Sequence, residues 1–136
     1  MFTDRREAGL ALARKLAPYE FRNDAVILAV PRGGLALGAV LAEELGLPLD
    51  IILTKKIGHP GNAEFAIGAV SLTGAAVDSA LIERDGISSE YIGSMIERIR
   101  EGLWQRYRLY RGTSRPLSVA GKTAILTDDG AATGRT

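Results

Sequence analysis

Six consecutive residues without a polar side chain, Ala25-Val26-Ile27-Leu28-Ala29-Val30, constrain the fold more than any other stretch of this chain. A continuous apolar run of that length reads as a strand covered on both faces, which is the situation of a parallel sheet flanked by helices. The run enters Pro31-Arg32-Gly33-Gly34 and then a helical pattern with Leu37, Val40, Leu41 and Leu45, stopped by Gly46 and Pro48. Strand, glycine turn and helix in that order are the layout in which backbone amides and a helix N-terminus receive an anion. The spacing does not match a dinucleotide fingerprint, because no third glycine follows at the required place, and the lysine of a Walker loop is missing.

Two further runs extend the pattern. Leu49-Asp50-Ile51-Ile52-Leu53-Thr54 reads as a second core strand with Asp50 at its exposed start, and it ends on Lys55-Lys56, a basic pair expected to face the ligand crevice at the strand's carboxyl end. Ile57-Gly58-His59-Pro60-Gly61-Asn62 is expected to be a loop. Residues 64–71 and 72–77 read as a short hairpin turning at Thr73-Gly74. Residues 4–17 form a predicted helix with an Asp4/Glu7 capping box, a shared face of Ala8, Leu12 and Leu16, and Pro18 at its stop. The longest helical pattern covers 88–111, with Ile92, Met95, Ile96, Ile99 and Leu103 on one stripe, Gly112 at its end, and Gly93 and Gly102 as points where it could bend. Its arginines alternate with Glu90, Glu97 and Glu101 in the first half, the pattern of a solvated face. Trp104 and Tyr107 fit packing or an interface better than base stacking.

The third run, Ala124-Ile125-Leu126-Thr127, drives into Asp128-Asp129 and then into Gly130-Ala131-Ala132-Thr133-Gly134-Arg135-Thr136. A carboxylate pair at the end of a parallel strand suits vicinal hydroxyls or a hydrated divalent cation. The small residues after it let backbone N–H groups close around an anion, with Thr133 and Thr136 adding hydroxyls. Together they describe a sugar-phosphate site. The predicted architecture is a doubly wound, Rossmann-like α/β parallel sheet of strands 25–30, 49–54 and 123–127 with right-handed crossovers.

Composition narrows the setting. A chain of 136 residues is one domain at most, and a net charge of +1 makes no electrostatic case for nucleic acid. No apolar run approaches membrane-spanning length and there is no cysteine, so a soluble, cytoplasmic chain without disulfides is expected.

The stretch from Ala124 to Thr136, four mostly apolar residues, two acidic ones, a small-residue segment and Thr-Gly-x-Thr, resembles the 5-phosphoribosyl 1-pyrophosphate (PRPP) signature of the type I phosphoribosyltransferases. Pro31 to Gly34 is similar to that family's pyrophosphate loop, and Lys55-Lys56 with the following loop resembles, more loosely, the segment reaching over the pyrophosphate. The resemblance implies that Asp128 and Asp129 bind the ribose hydroxyls and that Gly130, Ala131, Ala132, Thr133, Gly134, Arg135 and Thr136 wrap the 5′-phosphate. It implies that Arg32, Gly33, Lys55 and Lys56 meet the pyrophosphate, with Arg32 and Lys56 as catalytic groups. It also implies a cis Pro31–Arg32 peptide and Mg2+ carried on PRPP, touching Asp128 and Asp129 through water. The reaction would move 5-phosphoribosyl from PRPP to a nitrogenous base with release of pyrophosphate, or the reverse, in a chain that could form a homodimer. His59 is given no role. The family pattern continues beyond Thr136 with a helix and further strands, so residues 1–136 are read as a single, N-terminal portion of such a domain, expected to be inactive alone. A PRPP-binding regulatory protein and a structural fragment remain as alternatives.

Overall fold

The computed structural model describes residues 1–130 and divides into two compact units, Met1–Ile52 with the segment from Arg115 onward, and Leu53–Ser114. In the first unit β1 (Ala25–Ala29) lies between β2 (Leu49–Ile51) and β6 (Thr123–Thr127), both parallel to it, in the order β2-β1-β6. The expected α/β parallel sheet is therefore present, and its first run is the central strand. Val26, Ile27 and Ala29 have no exposed surface, as a strand with a neighbour on each side and cover on each face requires.

Helix α1 (Arg5–Lys15) begins at Asp4, whose carboxylate accepts from the Glu7 N–H at 2.8 Å. The reciprocal half of the capping box is absent, because the Glu7 carboxylate accepts from the N–H and hydroxyl of Thr3 instead. The buried ridge of α1 is Gly9 and Ala13, not the Ala8–Leu12–Leu16 face, and Leu12 is exposed. Its partner is α2 (Gly33–Leu45): a side-chain carbon at Gly9 would stand 2.9 Å from Val40, so the helices meet where α1 has least bulk. Helix α2 ends on Gly46 at φ 60°.

The second core strand is shorter than its apolar run. Ile52 still donates to the Ala29 carbonyl at 2.9 Å, but Thr54 opens a new strand, β3 (Thr54–His59). β3 pairs antiparallel with β4 (Asn62–Ser71), which pairs with β5 (Ala75–Val77). Lys55 and Lys56 consequently lie opposite Val70 and Ala69 inside an antiparallel ladder rather than at the carboxyl end of a parallel strand. Backbone pairing to β4 claims the segment, which apolarity alone did not reveal. The expected 57–62 loop shrinks to Pro60-Gly61, and register shifts around Gly58 form the irregularity next to that turn. The β4–β5 hairpin turns as expected around Thr73-Gly74, with Ser71 N–H donating to the Gly74 carbonyl at 2.9 Å.

Asp50 is not at an exposed strand start. It is 2% exposed, accepting from its neighbour Ile51 N–H at 2.8 Å and from Leu117 N–H at 2.7 Å, so the carboxylate anchors the segment that leads into β6. In the second unit the short α3 (Ser79–Arg84) precedes α4 (Ser89–Arg111), which runs unbroken for 23 residues from its Ser88 cap to Gly112 at φ 65°. α4 packs on β3 and β4. Its buried residues are Ile99, Leu103 and Tyr107, with Trp104 edge-on to Tyr107 at 5.7 Å.

Candidate functional site

β1 and β6 are parallel neighbours, so the loops that follow them leave the same edge of the sheet. Ligands collect at that edge in open α/β folds. The two loops are bound together by backbone and side chain. Val30 N–H donates to the Thr127 carbonyl at 2.9 Å, and the buried Thr127 hydroxyl donates to the Gly34 carbonyl at 3.0 Å. The fit is tightest at the first two residues of α2. A side-chain carbon at Gly34 would stand 2.4 Å from the Thr127 carbonyl oxygen, and one at Gly33 would stand 1.8 Å from the Asp129 carboxylate. Gly34 is thus demanded by close approach of the β6 backbone, not only by the turn, whereas at Gly33 the neighbour is the Asp129 side chain, which can turn aside.

Helix α2 starts from Arg32, in helical conformation and with no side-chain cap, after a cis Pro31–Arg32 peptide. Its first N–H groups therefore have no side-chain oxygen to satisfy them. The Asp129 carboxylate lies beside this helix start, where the helix dipole favours negative charge. Asp129 N–H donates to Asp128 Oδ1 at 2.8 Å, which fixes the two carboxylates relative to each other. Arg32 is exposed at the same loop.

A residue that sequence reasoning treated as plain structure joins them. Arg5 Nη2 donates to Asp129 Oδ2 at 2.8 Å, and this guanidinium holds the Asp129 carboxyl below the ordinary aspartate range, with Asp128 adding a smaller effect in the same direction. The signal lay in the spacing: Gly9 is one turn beyond Arg5 on the same face of α1, and close packing at Gly9 directs that face at α2.

Lys55 and Lys56 belong to the second unit, and there they line one cavity of about 470 Å3 with Arg98 and Arg106 of α4. Lys56 Nζ is held by the Glu64 carboxylate at 3.0 Å and its carbonyl at 3.1 Å. His59 has both ring nitrogens engaged, Nδ1 accepting from Gly61 N–H at 2.9 Å and Nε2 facing Asp85 at 3.3 Å, which gives it a structural role at the β3–β4 turn. Asp85 is held below the usual carboxylate range mainly by its hydrogen bond from Arg84, with His59 as a lesser cause. Gly130 is exposed, and Ala131, Ala132, Thr133, Gly134, Arg135 and Thr136 lie outside the described residues. Among the described residues no group of three or more His, Cys, Asp or Glu side chains could hold a metal ion. The pair Asp128 and Asp129 fits only the outer part of a cation's shell, with the remaining ligands coming from elsewhere. No helix of the described residues is long and apolar enough to cross a membrane.

Comparison with known proteins identifies a family. Residues 5–136 match the phosphoribosyl transferase domain family. Two Mycobacterium tuberculosis proteins, from strains CDC 1551 and H37Rv and provisionally named phosphoribosyl transferases, are 34% identical over 138 residues. The match covers 100% of this chain and 31% of theirs, so the chain spans about a third of the length of these relatives. The crystal structure of TT1426 from Thermus thermophilus is similar with a TM-score of 0.72 and 37% identity, over 94% of this chain and 61% of that one.

Proposed function

The chain belongs to the phosphoribosyl transferase domain family, and from that premise we propose that its first unit binds PRPP and serves transfer of the 5-phosphoribosyl group to a nitrogenous base. The observation that carries this reading is the joined pair of loops at the carboxyl edge of the sheet, where Asp128 and Asp129 stand against the uncapped start of α2. Vicinal hydroxyls of a ribose fit two adjacent carboxylates that accept without competing donors of their own. The α2 amides and Arg32 offer charge and N–H groups for the diphosphate, and residues 130–136 are assigned to the 5′-phosphate on the strength of their sequence.

In the proposed reaction a base nitrogen forms its bond to C1 of the ribose as the C1–oxygen bond breaks, and pyrophosphate leaves with the electron pair. Arg32 neutralises charge that grows on the leaving group, and the carboxylates hold the ring so that C1 faces the acceptor. Magnesium would enter on the diphosphate, where it supplies further neutralisation of that charge. Arg5 acts on Asp129, keeping it ionised and turned toward α2.

The test is titration of the chain with PRPP and MgCl2 by calorimetry, followed by assay of pyrophosphate release with a panel of purine and pyrimidine bases. Binding that weakens in Asp128→Asn together with base-dependent pyrophosphate release supports the transferase. Binding without release under every base would favour a PRPP-responsive regulator, and absence of PRPP binding would overturn the assignment of the site.

A further inference from the structure

The second unit carries a cavity that the first unit's chemistry does not account for. Its walls come from three elements of that unit, β3, β4 and α4, and its cations are Lys55 and Lys56 from β3 and Arg98 and Arg106 from α4. Against these four cations the lining contains one acid, Glu64, and that carboxylate is already paired with Lys56. Among the described residues, Lys55, Arg98 and Arg106 have no ion-pair partner. A concentration of unneutralised cations around a concave space raises the local concentration of anions and repels cations.

The helix places its two arginines with a gap between them. Arg98, Gly102 and Arg106 follow one another at four-residue spacing, so they lie along one ridge of α4. A side-chain carbon at Gly102 would meet nothing within 4 Å, so the glycine leaves an open notch with a guanidinium one turn to either side. No packing demand accounts for a glycine there, and in mid-helix it is the weakest residue after proline. The notch leaves room beside the helix between the two guanidinium groups. Arginine forks match the oxygens of a phosphoryl group, and on the facing strand Lys55 adds an unpaired ammonium group beside Lys56, whose charge is shared with Glu64.

The remaining lining is apolar. Met95, Ile99 and Leu103 form one side, and Tyr91 spends its hydroxyl on the Gly58 carbonyl at 2.7 Å, leaving its ring as surface. A cavity of about 470 Å3 lies in the range that holds small organic ligands. We propose that this cavity binds a phosphomonoester, its phosphoryl group between Arg98, Arg106 and the β3 lysines and its apolar body against Met95, Ile99 and Leu103. The site lies wholly within Leu53–Ser114 and is independent of the PRPP reading.

Phenyl phosphate and inorganic phosphate serve as probes, titrated into the full chain by calorimetry. Phenyl phosphate is expected to bind at least tenfold tighter than inorganic phosphate and to weaken as salt is raised. Gly102→Leu fills the notch while improving the helix, so its melting temperature should match or exceed that of the original chain, and its phenyl phosphate affinity should fall at least tenfold. Arg98→Gln and Arg106→Gln should each lower affinity several-fold, whereas Asp128→Asn should leave it within twofold. No binding by the original chain, unchanged binding in Gly102→Leu and both glutamine variants, or loss of binding in Asp128→Asn would each overturn the proposal. Equal affinity for the two probes would overturn the assignment of the apolar wall.

Discussion

The two units solve opposite electrostatic problems. At the carboxyl edge of the first unit an acidic pair stands beside Arg32, and one of the two, Asp129, is neutralised by a guanidinium from a helix that begins 124 residues earlier. In the second unit the cavity walls are basic, and only Lys56 has an acid of its own among the described residues. The first arrangement is held largely by backbone: the Val30 amide, the Thr127 and Gly34 carbonyls and the bare Gly34 Cα fix how the loops meet. The second is held by helix periodicity, which spaces charges without fixing them. A substitution in the first should therefore disturb structure and binding together, whereas one in the second can change charge or volume with the fold intact.

The largest effect expected is on ligand affinity. Asp128→Asn keeps the Oδ1 that accepts from Asp129 N–H, so the loop geometry survives while the charge is lost. PRPP affinity measured by calorimetry should drop by about 1.5–3 kcal/mol, the usual worth of a hydrogen bond to a charged group, and the same measurement on Arg106→Gln should show no loss. Equal losses in both variants would erase the distinction between the two regions. Next in size is the backbone fit. Gly34→Ala sets a carbon against the Thr127 carbonyl and the Asp128 Cα, neither of which can rotate away. Denaturant unfolding should report a loss of about 1–3 kcal/mol, as for other forced overpacking.

Sequence reading reached most of the first unit because its signals are local. Continuous apolarity marked β1, the glycines marked the turn, and Asp128-Asp129 marked the strand end. The boundary at Ile52–Leu53 was not legible, since the run from Leu49 to Thr54 is evenly apolar apart from Asp50 and only pairing with β4 divides it. Asp50 was misjudged for the same kind of reason: its partner, Leu117 N–H, is 67 residues away. Arg5 was missed because an exposed arginine at a helix start looks like any other, and its value comes from packing at Gly9. Arg98, Arg106, Arg108 and Arg111 of α4 are exposed, as a solvated face implies, while Arg100 is half-buried and donates to the Ser71 carbonyl at 3.4 Å, and the gap at Gly102 has meaning only once β3 is seen opposite.

A smaller effect, of opposite sign to that at Gly34, is expected for Gly102→Ala. The added methyl meets open space in an uninterrupted helix, so the alanine should stabilise the chain by about 0.5–1 kcal/mol through backbone entropy and helix propensity. A loss of stability there would mean that the notch is a packing requirement and would weaken the contrast with the first unit.

The smallest effect is a titration. Arg5 lowers the Asp129 pKa, so the pair's contribution is fully present above the ordinary aspartate pKa and disappears as pH falls from there through the lower folded-state value. Between about pH 5 and 8 Asp129 is ionised throughout, and PRPP affinity should show no step from this group. In Arg5→Gln the largest cause of that shift is gone, and the carboxyl should titrate closer to the ordinary value, read by carbon-13 NMR of the labelled aspartates. An Asp129 titration unmoved by Arg5→Gln would mean that the helix start and the Asp128 contact, not the guanidinium, set its charge, and Arg5 would lose its place in the site.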